Sequence, residues 1–312
     1  MNHFLDIADF NKEEIQQLLE TAVNLKKDYK QGKITSLLRN KVLAMVFQKP
    51  SLRTRVSFDM AMRTLGGDAL YLSPQEIGLG KRESIADVSR VLSGYVHCVM
   101  ARVFAHDHIL ELAKWSSVPV INGLSDYNHP CQALSDALTI YEEFGDLSGK
   151  IVVYIGDGNN VALSLMKIVT KLGANFRIAS PEGYDLPVNE VEIYSTIAEA
   201  KGASVQEFRV PQDAAKNASV IYTDTWTSMG QEEEARKREE VFPPYQVNAD
   251  LLKFANSEVI VMHCLPAHRG HEITDEIADG PHSRLFLQAE NRMHAQKAIL
   301  VKLLADGEIN AE

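Results

Sequence analysis

The stretch Lys41-Val-Leu-Ala-Met-Val-Phe47 is a continuous apolar run that ends just before Lys49-Pro50. An apolar run without alternating polar positions is typical of a parallel β-strand that is covered on both faces. A helical pattern follows from about Arg53 to Leu65, and the pair Gly66-Gly67 ends it. A buried strand followed at once by a helix predicts a parallel sheet with helices on both faces.

Strand and helix signals alternate along the rest of the chain, without a low-complexity linker or an internal repeat. In the first half, further strands are predicted at residues 69–72, 98–104 and 118–121, before a helix from near Pro130 to the turn at Gly145. A second apolar run, Lys150-Ile-Val-Val-Tyr-Ile155, opens the second half, where strands are predicted at residues 175–179, 205–208, 219–223 and 258–262. A final helix, from about Asn291 to Leu304, is long enough to pack back across the first half.

The length of the chain, 312 residues, exceeds one ordinary core and favours two domains of roughly 150 residues each. We predict an α/β fold of two domains, each a parallel sheet flanked by helices, with the C-terminal helix packed on the first domain. The first domain is assigned residues 1–146 together with 290–312, and the second is assigned residues 147–289. Ligands of such sheets bind at the carboxyl ends of the strands, so functional residues are expected in the loops that follow the strands.

Composition and charge exclude several classes of protein. The formal net charge of -10 disfavours binding to nucleic acid or to an acidic membrane surface. No apolar run approaches the roughly 20 residues that cross a bilayer, and the first residues carry no secretion signal. The cysteines Cys98, Cys131 and Cys264 are odd in number and far apart, so a disulfide framework is not expected. A cytoplasmic protein is therefore predicted.

A candidate anion site follows the first strand. Ser51 stands where the N-cap of a helix belongs, and the N–H groups of the first turn, with Arg53 and Thr54, would form an anion cradle. The G-x-x-x-x-G-K-[ST] pattern of a nucleotide P-loop is absent. The alternative is an ordinary capped helix with surface arginines, and this motif alone does not decide between the two.

Polar residues also stand at two later strand ends of the first half. Arg102 lies near the end of an apolar strand, where burial is costly unless an anion or a structural ion pair meets the guanidinium. His129 precedes Pro130, and Gln132 lies in the first turn of the helix that follows, so both could face one ligand. The alternative for His129 is a packed or solvated side chain.

The second half contributes three polar segments. Gly156-Asp-Gly-Asn-Asn-Val161 lacks the third glycine of a dinucleotide fingerprint, and its asparagines would either meet a polar ligand or form a simple turn. Asp224 would attract a cationic substrate, and the Ser228-Met229-Gly230 segment is typical of a mobile loop. Cys264, within His263-Cys-Leu-Pro266, is either a reactive thiol or an inert buried cysteine. A zinc site is disfavoured because no C-x-x-C spacing exists.

Taken together and in this order, the motifs resemble those of the aspartate and ornithine carbamoyltransferase family over nearly the whole chain. Residues 51–55, Arg102 and His129-Pro-x-Gln132 match the carbamoyl-phosphate half that all members share. Asp224-x-x-x-Ser-Met-Gly230 and His263-Cys-Leu-Pro266 are similar to the branch that uses ornithine. The resemblance implies transfer of a carbamoyl group from carbamoyl phosphate to the side-chain amine of ornithine, in arginine biosynthesis, without a metal or another cofactor.

The resemblance also implies roles for residues of the first domain. Arg102 and His129, with Thr54, would polarise the carbamoyl oxygen, where negative charge grows as the amine attacks. Gln132 would hold the carbamoyl NH2 group. The residues implied to bind carbamoyl phosphate are Ser51, Leu52, Arg53, Thr54, Arg102, His129, Gln132 and Arg292.

The residues implied to bind ornithine are Asn160, Asp224, Ser228, Met229, Cys264 and Leu265. An alkyl ammonium group with a pKa near ~10.4 is almost entirely charged at neutral pH and is not nucleophilic, so the site has to select the neutral amine. Cys264, poised by Asp224, is the candidate for orienting that amine and handling its proton. The predicted catalytic residues are thus Arg102, His129, Asp224 and Cys264.

The resemblance also bears on the loop at residues 76–84, on the oligomeric state and on the acceptor. Many relatives carry a glutamine near the position of Gly78, in a loop thought to reach a neighbouring subunit, so residues 76–84 are left out of the site. Family members are trimers, which implies a homotrimer here. The alternatives are a related acceptor, such as putrescine or N-acetylornithine, the catabolic direction, and a non-catalytic relative that keeps the fold.

Overall fold

The computed structural model describes residues 3–33, 35–227 and 232–305. The chain divides into two compact units, one made of Met1–Leu138 with Asn291–Glu312 and the other of Thr139–Glu290. Within the described ranges, no helix combines the length and the apolar character that a bilayer crossing needs.

The strands of the described ranges are β1 (Val42–Phe47), β2 (Asp68–Leu72), β3 (Cys98–Arg102), β4 (Val120–Leu124), β5 (Ile151–Ile155), β6 (Asn175–Ala179), β7 (Val205–Phe208), β8 (Val220–Thr223) and β9 (Ile260–His263). The α-helices are α1 (Lys12–Lys30), α2 (Leu52–Thr64), α3 (Pro74–Ile77), α4 (Ile85–Ser93), α5 (His106–Trp115), α6 (Pro130–Phe144), α7 (Asn160–Lys171), α8 (Val188–Glu199), α9 (Pro211–Ala215), α10 (Ala235–Val241), α11 (Ala249–Leu252), α12 (Asp275–Ala278) and α13 (Leu285–Leu304). Short 3-10 helices lie at Ile7–Asp9, Glu232–Glu234 and Pro243–Tyr245.

The sheet of the first unit has the strand order β2-β1-β3-β4, and all neighbouring strands are parallel. β1 is buried from Leu43 to Phe47, and β3 and β4 are buried throughout, as predicted for strands covered on both faces. The chain runs from β1 outward to β2 and then returns to β3 on the other side of β1. The order therefore reverses between β1 and β3, which is where the loops of an open sheet leave a crevice for a ligand.

The sheet of the second unit has the order β7-β6-β5-β8-β9, again with all pairs parallel. Its order reverses between β5 and β8, so the loops after these two strands border the corresponding crevice. The predicted α/β architecture of parallel sheets flanked by helices is thus confirmed. Most of the candidate site residues lie in or near the loops that follow the strands at these two reversal points.

Several predicted strand boundaries were wrong by one to three residues, among them those of β3, β4 and β9. β4 begins at Val120 instead of residue 118, because Pro119 has no N–H group to donate to the ladder. β3 ends at Arg102 instead of residue 104, and the pairing of β3 with β4 changes register between Ala101 and Arg102. Arg102 is therefore the last residue of its strand, at the carboxyl edge of the sheet.

The C-terminal helix α13 begins at Leu285, earlier than predicted, and its residues from Asn291 onward belong to the first unit. There it packs on α1: Lys26 Nζ donates a hydrogen bond to Asn291 Oδ1 at 2.7 Å, and Lys297 Nζ lies 4.2 Å from the centre of the Tyr29 ring. The prediction that this helix packs on the first domain is confirmed.

Candidate active site

The loop after β1 ends in a capped helix start. The backbone of Ser51 is extended, and its Oγ accepts a hydrogen bond from the Thr54 backbone N–H at 3.4 Å, so the predicted N-cap is present. The first N–H groups of a helix have no partner inside it and lie at the positive end of its dipole, where anions bind. The Leu52 side chain is 75% exposed, which leaves the backbone N–H as the group that this residue could offer to a ligand.

Two arginines from distant parts of the chain meet at Thr54. Arg102, at the end of β3, donates from Nη1 to Thr54 Oγ1 at 3.3 Å. Arg292 of α13 donates from Nη2 to the same oxygen at 2.9 Å. Both guanidinium groups are buried, and buried charges are costly unless an anion or other polar groups meet them. Two buried cations beside a helix start make this region strongly electropositive.

His129, just before α6, is held neutral in this region. Its pKa lies well below the usual value. Burial is the largest cause, followed by the positive charges of Arg292, Arg102 and Lys49. The ring is therefore an uncharged hydrogen-bond donor at pH 7.

Lys49 is a further cation of this region, and the motifs did not single it out. Burial and the charge of Arg102 lower its pKa to about 8, while Asp126 opposes that shift. Its Nζ lies 5.0 Å from the centre of the Phe104 ring. The one signal in the sequence is its position just after a buried strand and shortly before Ser51.

Gln132 and Arg53 belong to the same unit, but their hydrogen bonds do not connect them to Arg102 or Arg292 within the described residues. Gln132 lies in the first turn of α6, where its backbone N–H bonds to the His129 carbonyl at 3.1 Å. Its side-chain amide donates to Asp136 at 2.7 Å. The Arg53 side chain is half-buried and makes no hydrogen bond to another residue of the described ranges.

In the second unit, Asp224 accepts hydrogen bonds from two directions. Its Oδ1 accepts from the Cys264 thiol at 3.0 Å, and its Oδ2 accepts from the Asn159 side-chain amide at 3.1 Å. β8 and β9 pair with Thr223 opposite His263, so the residues that follow these strands meet at one edge of the sheet. A carboxylate held in this way is suited to attract a cation.

Asn159, the neighbour of the predicted Asn160, is the asparagine whose side chain bonds to Asp224. It is the N-cap of α7: its Oδ1 accepts the first N–H groups of the helix, which directs its NH2 group to Asp224. The Tyr154 hydroxyl donates to Asn159 at 3.3 Å. Burial, followed by the charge of Asp224, raises the pKa of Tyr154 well above its usual value, so the hydroxyl keeps its proton. The sequence singled out both asparagines of this motif but assigned the role to Asn160, although the N-cap preference of asparagine is a signal for Asn159, and it did not identify Tyr154.

His263 and Glu272 hold the turn that carries Cys264 and Leu265. His263 Nδ1 accepts the Leu265 backbone N–H at 2.9 Å, and Nε2 lies 3.1 Å from Glu272 Oε1. Although burial opposes it, hydrogen bonds from His263 and from backbone N–H groups lower the pKa of Glu272, so the carboxylate is charged. Leu265 has a φ of 58°, a left-handed value that leucine adopts only where its surroundings hold it.

The side chains of Asp224, His263 and Cys264 offer possible metal-ligand atoms within 4.8 Å of one another. Both ring nitrogens of His263 are engaged, however, because Nδ1 accepts the Leu265 N–H and Nε2 donates to Glu272. Only a thiol and a carboxylate remain, and protein zinc sites take three or four protein ligands. The three residues therefore do not fit a metal ion in this arrangement.

Comparison with protein families matches both halves of the chain. Residues 2–142 match the carbamoyl-P binding domain of aspartate/ornithine carbamoyltransferase, and residues 148–303 match its Asp/Orn binding domain. The chain belongs to the aspartate/ornithine carbamoyltransferase family.

Relatives in this family cover nearly the full length. The ornithine carbamoyltransferase of Pyrococcus horikoshii is 54% identical over 96% of this chain and 95% of its own. The relative from Archaeoglobus fulgidus, of the same name, is 53% identical over 97% of this chain and 98% of its own. The structure of ornithine carbamoyltransferase from Pyrococcus furiosus superposes with a TM-score of 0.95 at 52% identity, covering 98% of this chain and 97% of that one.

Two residues that the carbamoyltransferase motifs predicted for the ornithine site, Ser228 and Met229, lie outside the described residues. Of the others in the second unit, Asp224, Cys264 and Leu265 lie on adjacent strand ends, and Asn160 begins α7. In the first unit, Thr54, Arg102 and Arg292 are in direct contact, and His129 experiences the charges of both arginines.

Proposed function

We propose that the chain transfers the carbamoyl group of carbamoyl phosphate to the side-chain amine of L-ornithine, giving L-citrulline and phosphate in arginine biosynthesis. Full-length relatives named ornithine carbamoyltransferase, one of them named anabolic, support this reaction and direction. The observation that carries the choice of acceptor is the Asp224 carboxylate bonded to the Cys264 thiol at 3.0 Å. A carboxylate there attracts the ammonium form of ornithine and repels the second carboxylate of aspartate.

In this proposal each domain binds one substrate. Residues 1–146 with 290–312 form the carbamoyl-phosphate-binding domain, and residues 147–289 form the ornithine-binding domain. The charges support the division, since the candidate residues of the first unit are cations around Thr54, whereas the second unit offers Asp224 between an amide and a thiol.

The phosphate of carbamoyl phosphate is held at the start of α2. Ser51, Leu52, Arg53 and Thr54 bind it through side chains and through the N–H groups of the first helical turn. Arg292 adds a buried charge beside Thr54. An arginine that meets a phosphate makes a charge-assisted bond, which relieves the cost of its own burial.

The carbamoyl oxygen is polarised by Arg102 and His129. As the amine attacks, negative charge grows on this oxygen, and preorganised donors stabilise it in a site that excludes water. A neutral His129 can donate a hydrogen bond without adding a further positive charge to the cluster. Gln132 holds the carbamoyl NH2 group on the opposite side.

Ornithine binds through Asn160, Asp224, Ser228 and Met229, with Cys264 and Leu265 meeting its side-chain amine. The amine attacks only in its neutral form. Asp224 holds the Cys264 S–H, which leaves the sulfur lone pairs to accept an amine N–H and to point the nitrogen at the carbonyl carbon. The C–N bond then forms, the C–O bond to phosphate breaks, and the proton that the nitrogen loses is taken up by the departing phosphate. Holding both substrates in line can contribute ~7–11 kcal/mol of the barrier reduction.

We further propose a homotrimer in the cytoplasm. β2 is an edge strand and Leu70 on it is 51% exposed, a surface suited to contact with a second copy of the chain. The three cysteines are free thiols, which fits a reducing compartment. Sedimentation equilibrium should give three times the chain mass, and a monomer at micromolar concentration would contradict the trimer.

The acceptor is tested with purified protein, carbamoyl phosphate and no added metal. Initial rates are compared for ornithine, putrescine, N-acetylornithine and aspartate under identical conditions. We expect citrulline from ornithine to form fastest. A preference for any of the other three acceptors would refute the assignment, and inactivity with all four would favour a binding protein that keeps the fold.

A further inference from the structure

A buried carboxylate lies one helical turn beyond Gln132. Gln132 and Asp136 both belong to α6 and are essentially inaccessible to solvent. Gln132 Nε2 donates a hydrogen bond to Asp136 Oδ1 at 2.7 Å. In the mechanism described above Gln132 binds the carbamoyl NH2 group, whereas Asp136 and its hydrogen bond to Gln132 have no role.

The pair decides which way the Gln132 amide points. The oxygen and nitrogen of a glutamine amide are almost identical in size, so packing alone does not distinguish the two orientations. An ionised carboxylate only accepts hydrogen bonds, and the amide oxygen of glutamine also only accepts them. The two therefore cannot bond to each other. Asp136 accepts a hydrogen bond from the NH2 group of Gln132, and as a carboxylate it would repel the amide oxygen.

The opposite end of the amide is left as an acceptor. Gln132 Oε1 is buried and has no hydrogen-bond partner within the described residues. An unmet buried acceptor is destabilising unless a ligand or a water molecule supplies a donor. Because the Gln132 backbone N–H bonds to the His129 carbonyl, this acceptor stands at the same helix start as His129.

We propose that Asp136 is a positioning residue that makes Gln132 an obligatory acceptor, and thereby selects the NH2 group of carbamoyl phosphate over a methyl group or a second oxygen. This inference rests on the proposed function. The carbamoyl group has two ends of similar size, a C=O that needs donors and an NH2 that needs an acceptor. Arg102 and His129 supply the donors, and the orientation set by Asp136 supplies the acceptor. If the Gln132 amide were reversed, its NH2 group would face the NH2 group of carbamoyl phosphate, and both groups are donors.

The competing explanation is an ordinary i,i+4 pair that stabilises α6 and has no influence on the ligand. The two explanations differ in what they predict for ligands that lack the NH2 group. Acetyl phosphate carries a methyl group in its place, and inorganic phosphate carries neither end of the carbamoyl group. A specific effect of Asp136 should therefore appear with carbamoyl phosphate alone.

The test uses Asp136→Leu, Gln132→Leu, the double variant and the surface control Asp107→Asn in the full-length protein. Dissociation constants are measured by calorimetry for carbamoyl phosphate, acetyl phosphate and inorganic phosphate. We expect either single substitution to weaken carbamoyl phosphate about tenfold, the scale of a buried hydrogen bond, with little change for the other two ligands. The double variant should be no weaker than Gln132→Leu, because Asp136 acts through Gln132. The control should match the wild type.

Several outcomes would overturn the proposal. Equal weakening of all three ligands would assign Asp136 a structural role, and additive losses in the double variant would mean that it acts independently of Gln132. If the leucine variants fail to fold, neutron diffraction of the wild-type protein locates the deuterons of Gln132, and an oxygen facing Asp136 would refute the inference. A wild-type protein that does not bind carbamoyl phosphate would instead refute the proposed function.

Discussion

The thiol of Cys264 donates a hydrogen bond to Oδ1 of Asp224 at 3.0 Å, although the two residues are forty positions apart in the chain. They meet because β8 and β9 are neighbours in a parallel sheet and each residue directly follows its strand. Because the carboxylate accepts the hydrogen bond from the thiol S–H, the sulfur lone pairs remain available to a ligand. The predictions for the acceptor side of the reaction depend on this contact.

Asp224→Asn should impair the use of ornithine. The substitution keeps the shape and removes the charge that attracts the ammonium group. A hydrogen bond to a charged group contributes about 1.5–3 kcal/mol, so kcat/KM for ornithine should fall roughly 10- to 100-fold. The dissociation constant of carbamoyl phosphate should stay unchanged. Asp213→Asn, which breaks a surface ion pair with Lys216, serves as the control. Unchanged kcat/KM in Asp224→Asn would contradict the acceptor site.

Cys264→Ser should weaken ornithine use more than carbamoyl-phosphate binding. Serine can still donate to Asp224, but its smaller oxygen does not reach as far and is less polarisable than sulfur. Steady-state kinetics with ornithine varied, together with calorimetry of carbamoyl phosphate, separate the two effects. If both substrates are affected equally, the thiol does not have the role proposed for it.

Arg102→Leu should abolish turnover while the fold is retained. Removing one donor to the developing oxyanion costs about 10²–10³-fold in kcat, and Arg102 also supplies a charge. Citrulline formation measures the rate, and circular dichroism with a thermal melt checks the fold. Arg90→Leu removes an arginine that stacks on Trp115 at the surface and should leave turnover unchanged. Near-normal turnover in Arg102→Leu would remove this residue from the mechanism.

Phosphate binding should weaken above pH 8 because of Lys49. The pKa of this lysine is lowered to about 8, so its charged form predominates at pH 7 and is lost as the pH rises through that value. The inhibition constant of inorganic phosphate should increase between pH 7 and pH 9 in the wild type, and this rise should be reduced in Lys49→Met. Lys253→Met, at an exposed surface pair, should behave as the wild type. The same pH dependence in wild type and Lys49→Met would show that another group is responsible.

Strand positions and the residues that follow them could be predicted from the sequence. The apolar run that forms β1 is buried on both faces, and hydrophobicity alone identifies such a strand. The sequence predicted that Asp224 and Cys264 each follow a strand, whereas the pairing of these two strands as neighbours is a result of the tertiary structure. The motifs also predicted membership of the aspartate/ornithine carbamoyltransferase family, which the matches to both of its domains confirm.

Other features could not be predicted because they depend on contacts between distant positions. Asn159 and Asn160 are adjacent and chemically identical, and the choice between them follows from which one caps α7 and reaches Asp224. The sequence argued against a zinc site only through the absence of a C-x-x-C spacing. In the tertiary structure both ring nitrogens of His263 are engaged, by Leu265 and by Glu272, and are not free to bind a metal ion.

The amino-acid order by itself determined the alternation of buried strands and helices, the caps, and the set of polar groups at the strand ends, because these depend on neighbours close in the chain. The tertiary structure decided the charge state of His129 and Lys49 and the direction in which the Gln132 amide points. Burial and electrostatic fields are properties of the assembled fold, so they come into being only when segments far apart in the chain are brought together.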